Sequence, residues 1–240
     1  KADHISKSFD GRVVLDDVSV EFDTGTTNLV IGKSGSGKTV LLKCLVGLHE
    51  VDSGSIWYDD IDFTALGFKE RKAIRRDIGM LFQGGALLDS STVEENVKLP
   101  LDLFTSQSEK EKMERVDFCL QRVRLEDANH LYPAELSGGM IKRVAIARAL
   151  ASGPEIIYFD EPTSALDPEL TGEVLRVLRD LADRKTTMII VTHEMHFARD
   201  VADRILFMDG GVVVEEGPAK QLIDHPREER TRQFLAHYSE

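Results

Sequence analysis

The sequence predicts an α/β fold with a parallel sheet, an antiparallel N-terminal region and an inserted helical region. Short runs such as 155–159 and 187–191, which are apolar after their first residue, suit strands that are covered on both faces, as in a parallel sheet. Residues 4–31 instead alternate and turn like short antiparallel strands. Residues 84–151 lack strand-like runs, so we expect a helical subdomain there within a single domain spanning 1–240.

The N-terminal region begins with a predicted hairpin. Asp10-Gly11 is typical of a tight turn, and it separates strand-like residues 5–9 from 13–15. Residues 18–22 alternate between apolar and polar side chains, which predicts a further half-buried strand. The strand-like run 27–31 predicts the buried strand that comes next and leads into residues 32–39.

Residues 32–39 match G-x-x-x-x-G-K-[ST], the pattern of a phosphate-binding loop. A strand-like run precedes the match, and an apolar run at 40–46, long enough for a helix, follows it. This is the context of a true phosphate loop. An ordinary Gly/Ser-rich turn is the alternative, which these flanking elements disfavour. The candidate binding residues are Gly32, Lys33, Ser34, Gly35, Ser36, Gly37, Lys38 and Thr39.

The residue types explain how such a loop binds a polyphosphate. Gly32, Gly35 and Gly37 allow backbone conformations that a Cβ atom would penalise, so the loop N–H groups can converge on the phosphates. Lys38 supplies a cation for the β- and γ-phosphates. The hydroxyl of Thr39 is an oxygen ligand of the kind that Mg²⁺ prefers.

Further strands and helices follow along the chain. The next predicted elements are a strand at 55–58, a charged helix at 69–76, a strand at 78–82 and a helix at 109–124. The last of these helices places an apolar face at Met113, Val116, Cys119, Leu120 and Val123. In the C-terminal third, the sequence predicts a strand at 155–159 and then a helix from Pro168 to 184, for which Asp167 is the N-cap. The elements that follow are a strand at 187–191, a helix at 194–202, a hairpin of 204–208 with 212–215, and a helical tail at 219–238.

Four polar residues follow predicted strands. Asp160 is a candidate Mg²⁺ ligand, and the adjacent Glu161 is a candidate base that polarises the attacking water. Gln83 and His193 each follow another buried strand, and the carboxyl ends of strands meet in one crevice of such a sheet. We therefore expect Gln83 to contact metal and water, and His193 to contact the γ-phosphate. Two acids that cap a strand and a structural histidine are the alternatives.

A second anion-binding element is predicted at 136–140. Ser137, Gly138 and Gly139 precede a predicted helix at 141–151, where N–H groups are available to an anion. One chain does not need two anion-binding elements for one γ-phosphate. We therefore expect this element to complete the site of a second copy of the chain.

These motifs resemble those of the ATP-binding-cassette (ABC) family over essentially the whole chain. Residues 32–39 resemble its Walker A loop, Gln83 its Q-loop and Leu136–Met140 its signature, although that motif usually ends in Gln. Asp160 and Glu161 resemble the end of its Walker B strand and its catalytic glutamate. Residues 164–167 resemble its D-loop, and His193 its switch histidine.

The resemblance implies a P-loop NTPase with a RecA-like core, an N-terminal antiparallel β subdomain and an inserted helical subdomain. It also implies Mg²⁺-dependent hydrolysis of ATP, with two ATP molecules sandwiched head-to-tail between two copies. Phe9 falls where the family stacks an aromatic ring on adenine, although a core position is equally open to it. Val40 stands where the family often has Thr, which leaves its backbone N–H for the α-phosphate.

Two stretches, 81–97 and 132–140, look like the ATPases of Mce/Mla-type lipid transporters. This narrower resemblance implies phospholipid transport, an integral membrane permease, an Mce-type lipid-binding protein and a small regulatory subunit as partners. An importer or exporter of another substrate is the alternative. Leu87 and Leu88 follow two glycines, which predicts a surface for a helix of the permease; a core segment is the other interpretation.

Composition restricts the partners further. The chain has 42 acidic and 30 basic residues and a net charge of −12, which argues against nucleic-acid binding and against a soluble ABC ATPase acting on nucleic acid or ribosomes. No apolar run approaches the roughly 18 residues of a membrane span. We therefore expect a cytoplasmic protein, peripheral on the cytosolic face of the inner membrane. Cys44 and Cys119 match no zinc spacing, which predicts buried free thiols.

Overall fold

The computed structural model describes residues 1–238, which form two compact units. The first unit combines Lys1–Arg75 with the chain from Thr187 onwards, and the second unit comprises Arg76–Thr186. The first part of the chain forms β1 (Ala2–Phe9), β2 (Arg12–Val20), β3 (Thr27–Gly32), α1 (Lys38–Leu45), β4 (Ser53–Tyr58), β5 (Ile61–Asp62) and α2 (Phe68–Arg76).

The second unit and the return to the first unit complete the set of elements. The second unit contains β6 (Ile78–Leu81), α3 (Val93–Phe104), α4 (Glu109–Arg122), a 3₁₀ turn (Pro133–Glu135), α5 (Gly138–Ala151), β7 (Ile156–Asp160) and α6 (Pro168–Asp183). The chain then forms β8 (Thr187–Val191), α7 (Met195–Val201), β9 (Arg204–Asp209), β10 (Val212–Pro218), α8 (Ala219–Asp224) and α9 (Glu229–Ala236). The α/β fold class is confirmed.

An antiparallel sheet with the strand order β2-β1-β4-β5 opens the first unit. The prediction of separate strands at 13–15 and 18–22 is wrong, because β2 is continuous and ends at Val20. Asp17 lies in the left-handed region at φ 53°, and the pairing of β2 with β1 shifts register around it. This bulge lets Leu15 and Val18 both face the core, where at most 1% of each is exposed.

The strand β3 lies between two parallel neighbours in the first unit. It pairs with β8 on one side and with β9 on the other, and β10 is antiparallel to β9. All six residues of β3 are buried, as expected of a strand covered on both faces. The phosphate loop therefore leaves from the carboxyl end of a fully buried strand.

The second unit combines a parallel strand pair, β6 and β7, with helices. Residues 84–151, all of which are described, contain helices and loops only, as their sequence predicts. Capping boxes at Thr92 and Ser108 begin α3 and α4. The apolar face of α4 is confirmed: Met113 is half-buried, and the fully buried members are Val116, Cys119, Leu120 and Val123.

The C-terminal tail differs from its prediction. It forms two short helices, α8 and α9, in place of one helical stretch. The break falls at His225-Pro226, because proline has no N–H to continue a helix. The next two N–H groups, of Arg227 and Glu228, donate to the carboxylate of Glu215 on β10 at 2.9 and 3.1 Å. The tail is thus attached to the hairpin of β9 and β10.

Both cysteines are buried free thiols, as predicted. Burial raises the pKa of Cys44 to about 11 and also raises the pKa of Cys119. Protonated, enclosed thiols are poor nucleophiles. Among residues 1–238, no helix combines the length and apolarity needed to cross a membrane.

Candidate functional site

The phosphate loop has a backbone that only glycine fits at two positions. Gly32 has φ 152°, and a Cβ atom there would lie 2.1 Å from the carbonyl oxygen of Met208. Gly37 has φ 99°, and its Cβ would lie 2.8 Å from the carbonyl oxygen of Val14. The loop is therefore enclosed by β2 and by the end of β9, and α1 begins directly after it at Lys38.

Lys38 folds back across this loop. Its side chain is buried, and its ammonium group donates to the carbonyl oxygens of Gly32 and Lys33, both at 2.9 Å. The hydroxyl of Ser36 is also buried and has no hydrogen-bond partner among the described residues. A buried hydroxyl without a partner normally signals a missing ligand or water. The loop thus concentrates a cation and an unsatisfied polar atom at a helix N-terminus, which is the arrangement that an anion requires.

The same loop fits Mg²⁺ bound together with a polyphosphate. Thr39 is half-buried in the first turn of α1, where its hydroxyl oxygen is a hard ligand. Among residues 1–238, no cluster of three His, Cys, Asp or Glu side chains forms a metal site by itself. Mg²⁺ usually keeps waters and shares substrate phosphates rather than occupying an all-protein cage, so this finding agrees with such a site.

Phe9 ends β1 and is 37% exposed, so it is not a core residue. The ring of His49 meets it edge-on, with centroids 5.2 Å apart, and the ammonium group of Lys7 lies 5.3 Å from its centroid. Lys7 is held by Asp52 at 2.7 Å, and this hydrogen bond lowers the pKa of that carboxyl group. Burial lowers the pKa of His49, which favours its neutral form. The Phe9 ring is therefore held by contacts with His49 and Lys7 and remains partly exposed to solvent.

Gln83, Asp160 and Glu161 lie in the second unit. Asp160 is the last residue of β7 and is 3% exposed, and Glu161 follows in the left-handed region at φ 47°. This turn directs the two adjacent carboxylates differently. The side-chain amide of Gln83 donates to Glu161 Oε2 at 3.1 Å. The structure thus brings together two residues that are 78 positions apart in sequence.

Lys142 on α5 is a residue of this site that the sequence analysis missed. Its ammonium group donates to the carbonyl oxygen of Gln83 and, at 3.3 Å, to the hydroxyl of Ser164. Burial lowers the pKa of Lys142, while the charges of Asp160 and Glu161 oppose that shift. A lysine on the apolar side of a predicted helix was the only signal available in the sequence.

Arg148, further along α5, holds the segment that follows Gln83. Its guanidinium donates to the carbonyl oxygens of Gly85 and Ala86, both at 2.7 Å. Burial lowers the pKa of this arginine. The backbone after β6 is therefore fixed to α5 by two cations, of which Lys142 is buried and Arg148 is half-buried.

The signature element lies at the start of α5, in the second unit. Ser137 is its N-cap and accepts from the N–H of Met140 at 3.2 Å. Ser137 and Gly138 are exposed, so this helix N-terminus is open to solvent. Gly139 is buried, and a Cβ there would lie 3.2 Å from Leu170. An exposed helix start is what an anion on another molecule needs.

His193 belongs to the first unit, with the phosphate loop and Phe9. It follows β8 and is half-buried. Next to it, the hydroxyl of Thr192 accepts from the N–H of Glu194 at 3.1 Å. This turn places the imidazole just beyond the carboxyl end of the strand, as predicted.

Comparisons with known proteins agree with this geometry. Residues 15–164 match the family model described as ABC transporter. The chain is 45% identical over 238 residues to the L-cystine import ATP-binding protein TcyC of Bacillus subtilis (strain 168), covering 96% of this chain and 95% of the relative. It is 46% identical to the L-cystine transport system ATP-binding protein TcyN of Escherichia coli (strain K12), covering 97% and 95%. It is 43% identical to the glutamine transport ATP-binding protein GlnQ of Geobacillus stearothermophilus, covering 97% and 96%.

Solved structures show the same fold. The dimeric structure of a post-hydrolysis state of the ATP-binding cassette MJ0796, bound to ADP and Pi, superimposes with a TM-score of 0.81 at 35% identity and covers 91% of this chain and 97% of that one. A dimeric structure of MJ0796, described as a bacterial ABC transporter cassette, gives a TM-score of 0.83 at 33% identity, with the same coverage.

The relatives correct one expectation from the sequence. They are named for cystine and glutamine, so the narrower resemblance to Mce/Mla-type lipid transporters is not supported. That expectation depended on the short apolar stretch after Gln83 and on Met140.

Proposed function

This chain belongs to the ABC transporter family and is an ATPase of that family, and from this premise we propose that it is the ATP-hydrolysing subunit of an amino-acid importer. The observation that carries the substrate class is the 43–46% identity, over nearly the whole chain, to relatives named for cystine and glutamine transport. Import of another class of solute is the alternative, and the absence of ATP-dependent amino-acid uptake in the experiment below would favour it.

The phosphate loop, Gly32–Thr39, binds the ATP triphosphate in this proposal. Lys38 exchanges its bonds to loop carbonyls for the β- and γ-phosphate oxygens, and the N–H of Val40 serves the α-phosphate. The unpartnered hydroxyl of Ser36 supports this role. Phe9 stacks its partly exposed ring on the adenine.

Mg²⁺ would be held by Thr39, Gln83 and Asp160, with water and phosphate oxygens completing its shell. When bound, it would neutralise charge that develops on the phosphates. Glu161 orients and polarises the attacking water, and Gln83, already hydrogen-bonded to Glu161, positions that water. His193 donates a hydrogen bond to the γ-phosphate.

Two copies of the chain sandwich ATP in this proposal. Ser137, Gly138 and Gly139 of one copy bind the γ-phosphate held by the other. The exposure of Ser137 and Gly138 at the start of α5 and the dimeric form of the similar cassettes support this arrangement. An integral membrane permease is the second partner, and it docks near Gly84–Leu88 from the cytosolic face of the membrane.

Binding of ATP through the loop is tested with Lys38→Ala. Losing charge-assisted bonds worth about 1.5–3 kcal/mol should weaken the affinity for ATP by about 10- to 150-fold. Isothermal titration calorimetry measures this, with Lys110→Ala as the control because the Lys110 side chain is highly exposed on α4, outside the loop. An unchanged dissociation constant for Lys38→Ala contradicts the assignment.

Amino-acid import is tested with the complex purified from detergent-solubilised membranes and reconstituted into proteoliposomes. Labelled cystine, arginine and glutamine are offered, and we expect ATP-dependent uptake of at least one, lost with Glu161→Gln. ATP-dependent movement of labelled phospholipid without uptake of any amino acid overturns the proposed substrate class but leaves the ATPase assignment intact.

A further inference from the structure

The C-terminal helix α9 is attached to the turn that borders the phosphate loop. The guanidinium of Arg230 donates to Asp209 Oδ2 from Nε at 2.9 Å and from Nη2 at 2.7 Å. Nη2 also donates to the backbone carbonyl oxygen of Asp209 at 3.0 Å. Asp209 is the last residue of β9, so this fork fixes both the side chain and the backbone at the point where the turn begins.

An apolar contact seats the same helix. The rings of Phe234 and Phe207 lie 4.9 Å apart, and both residues are at most 3% exposed. Phe207 lies two positions before Asp209 on β9. The helix therefore contacts the end of this strand through both an apolar contact and an ion pair. Arg230 is thereby held in one orientation relative to the turn.

The turn, Gly210-Gly211, touches the phosphate loop. The N–H of Gly211 donates to the carbonyl oxygen of Ser36 at 3.3 Å, and its carbonyl accepts from the N–H of Asp16 at 2.9 Å. Gly211 has φ 85°, and a Cβ there would lie 2.7 Å from the carbonyl oxygen of Val14. The turn is therefore packed between β2 and the phosphate loop. A shift of the turn would require β2 or the loop to move with it.

The residue before Asp209 is the other wall of the loop. The carbonyl oxygen of Met208 leaves no space for a Cβ atom at Gly32, and the Met208 methyl group would lie 3.8 Å from a Cβ atom at Gly37. Residues 208–211 thus contact the loop at Gly32 and Ser36, and Met208 lies near Gly37, the residue just before α1. We therefore expect a displacement of this segment to displace the backbone of the phosphate loop.

We infer that α9 sets the affinity of the phosphate loop for ATP, with Arg230 as a positioning residue that acts through Asp209 and the Gly210-Gly211 turn. This inference deepens the proposed function, because it presupposes that residues 32–39 bind ATP. Arg230 lies outside the loop and its effect is on loop geometry. Its loss should change the dissociation constant and KM for ATP while leaving kcat at saturating ATP nearly unchanged.

The full chain with Arg230→Ala tests the inference. We expect the dissociation constant for ATP to rise about fivefold to tenfold, the lower range of typical coupling between sites. Backbone amides of residues 33–37 should exchange with deuterium faster than in the parent. Arg230→Lys should give an intermediate affinity, because an ammonium group cannot form the two-pronged contact of a guanidinium.

Arg232→Ala is the matched control. Arg232 is 50% exposed, as Arg230 is, and it belongs to the same helix. It bonds Glu229 at 3.0 Å and the carbonyl oxygens of Pro226 and Arg227, so its contacts stay within the tail. Both alanine variants should lower the unfolding midpoint by similar small amounts, whereas only Arg230→Ala should weaken ATP binding.

A second pair of variants covers the case in which Arg230→Ala does not fold. Asp209→Asn keeps the shape of the side chain and should weaken ATP binding in the same direction. In the double variant with Arg230→Lys, the two losses should not add, because each breaks the same contact. Additive losses of affinity overturn the inference.

The remaining outcomes separate this inference from the proposed function. Equal losses of affinity in Arg230→Ala and Arg232→Ala indicate general loosening of the tail and overturn the inference. A parent-like dissociation constant in both Arg230 variants also overturns it, while ATP binding by the parent stands. A parent that binds ATP no better than Lys38→Ala overturns both proposals.

Discussion

Glu161 has two features that no neighbouring carboxylate combines. It follows a buried strand in a left-handed conformation, and it accepts a hydrogen bond from the side-chain amide of Gln83. A left-handed conformation is uncommon for a residue with a side chain, and it persists only where the surrounding structure holds it. The carboxylate is therefore held in one place rather than left to sample the cleft.

Glu161→Gln should preserve ATP binding and stop turnover. Glutamine has the same shape and can still accept from Gln83, but it lacks the charge that polarises water. We expect kcat to fall by at least about a hundredfold, the lower range for removing general-base catalysis. Turnover and affinity are measured separately on the purified chain.

Glu169→Gln is the control for this variant, because Glu169 is an exposed acid in the first turn of α6. It should hydrolyse ATP at the parental rate. A parental rate in Glu161→Gln would mean that a different group activates the water.

At the scale of elements, the sequence predicts most helices and strands to within three residues of their observed ends. Periodicity and turn residues are local signals, and they succeed where an element is determined locally. Pro226 indicates the helix break in the sequence. The conformation of the chain after the break also depends on Glu215, which lies on another element, β10, and accepts hydrogen bonds from that part of the chain. The continuity of β2 depends on a bulge at Asp17 that only pairing with β1 reveals.

The candidate site likewise has a part that local sequence determines and a part that depends on contacts between distant residues. The phosphate loop is one contiguous motif, so its position between β3 and α1 can be predicted from the sequence, while its binding of ATP stays a prediction. Lys142 could not be predicted, because its importance arises from contacts with Gln83 and Ser164, which lie 59 and 22 positions away. The extent of the helical subdomain, 84–151, stays a prediction.

Lys142→Met tests how α5 positions the segment after β6. Methionine fills a similar volume but cannot hold the carbonyl oxygen of Gln83, so the Gln83 side chain should lose its orientation towards Glu161. We expect kcat to fall about tenfold with an unchanged dissociation constant for ATP, since misplacing a group by about 1 Å costs up to about a hundredfold. Lys110→Met, at a highly exposed position on α4, is the control and should behave like the parent.

A rise in the dissociation constant of Lys142→Met without a change in kcat would contradict this reasoning. That result would place Lys142 with the nucleotide-binding residues rather than with those that position the water. Circular dichroism of the variant confirms that α5 is intact.

At the scale of the whole molecule, one chain carries a complete phosphate loop and a separate, exposed helix start at Ser137. The net charge of −12 disfavours association between copies in the absence of a bridging group. In the proposed function, ATP bound by both copies would supply that bridge, and its hydrolysis would remove it. We therefore propose that ATP turnover drives the approach and separation of the two subunits.

The Glu161→Gln variant should dimerise with Mg-ATP and remain monomeric with Mg-ADP. The γ-phosphate provides the charge-assisted hydrogen bonds across the interface, each worth about 1.5–3 kcal/mol. Adding Ser137→Arg should prevent dimer formation by blocking the helix start. Sedimentation velocity measures the mass, and an ATP-independent mass contradicts the composite site.

The burial of both native thiols has a practical consequence for spectroscopy. Cys44 and Cys119 are enclosed, and the pKa of Cys44 is raised to about 11, so maleimide or nitroxide reagents should bypass them at neutral pH. A single cysteine introduced at an exposed position then becomes the only labelled site on each chain. Paired spin labels on two copies would report the distance between subunits directly, and its change during a turnover could be followed without first building a cysteine-free background.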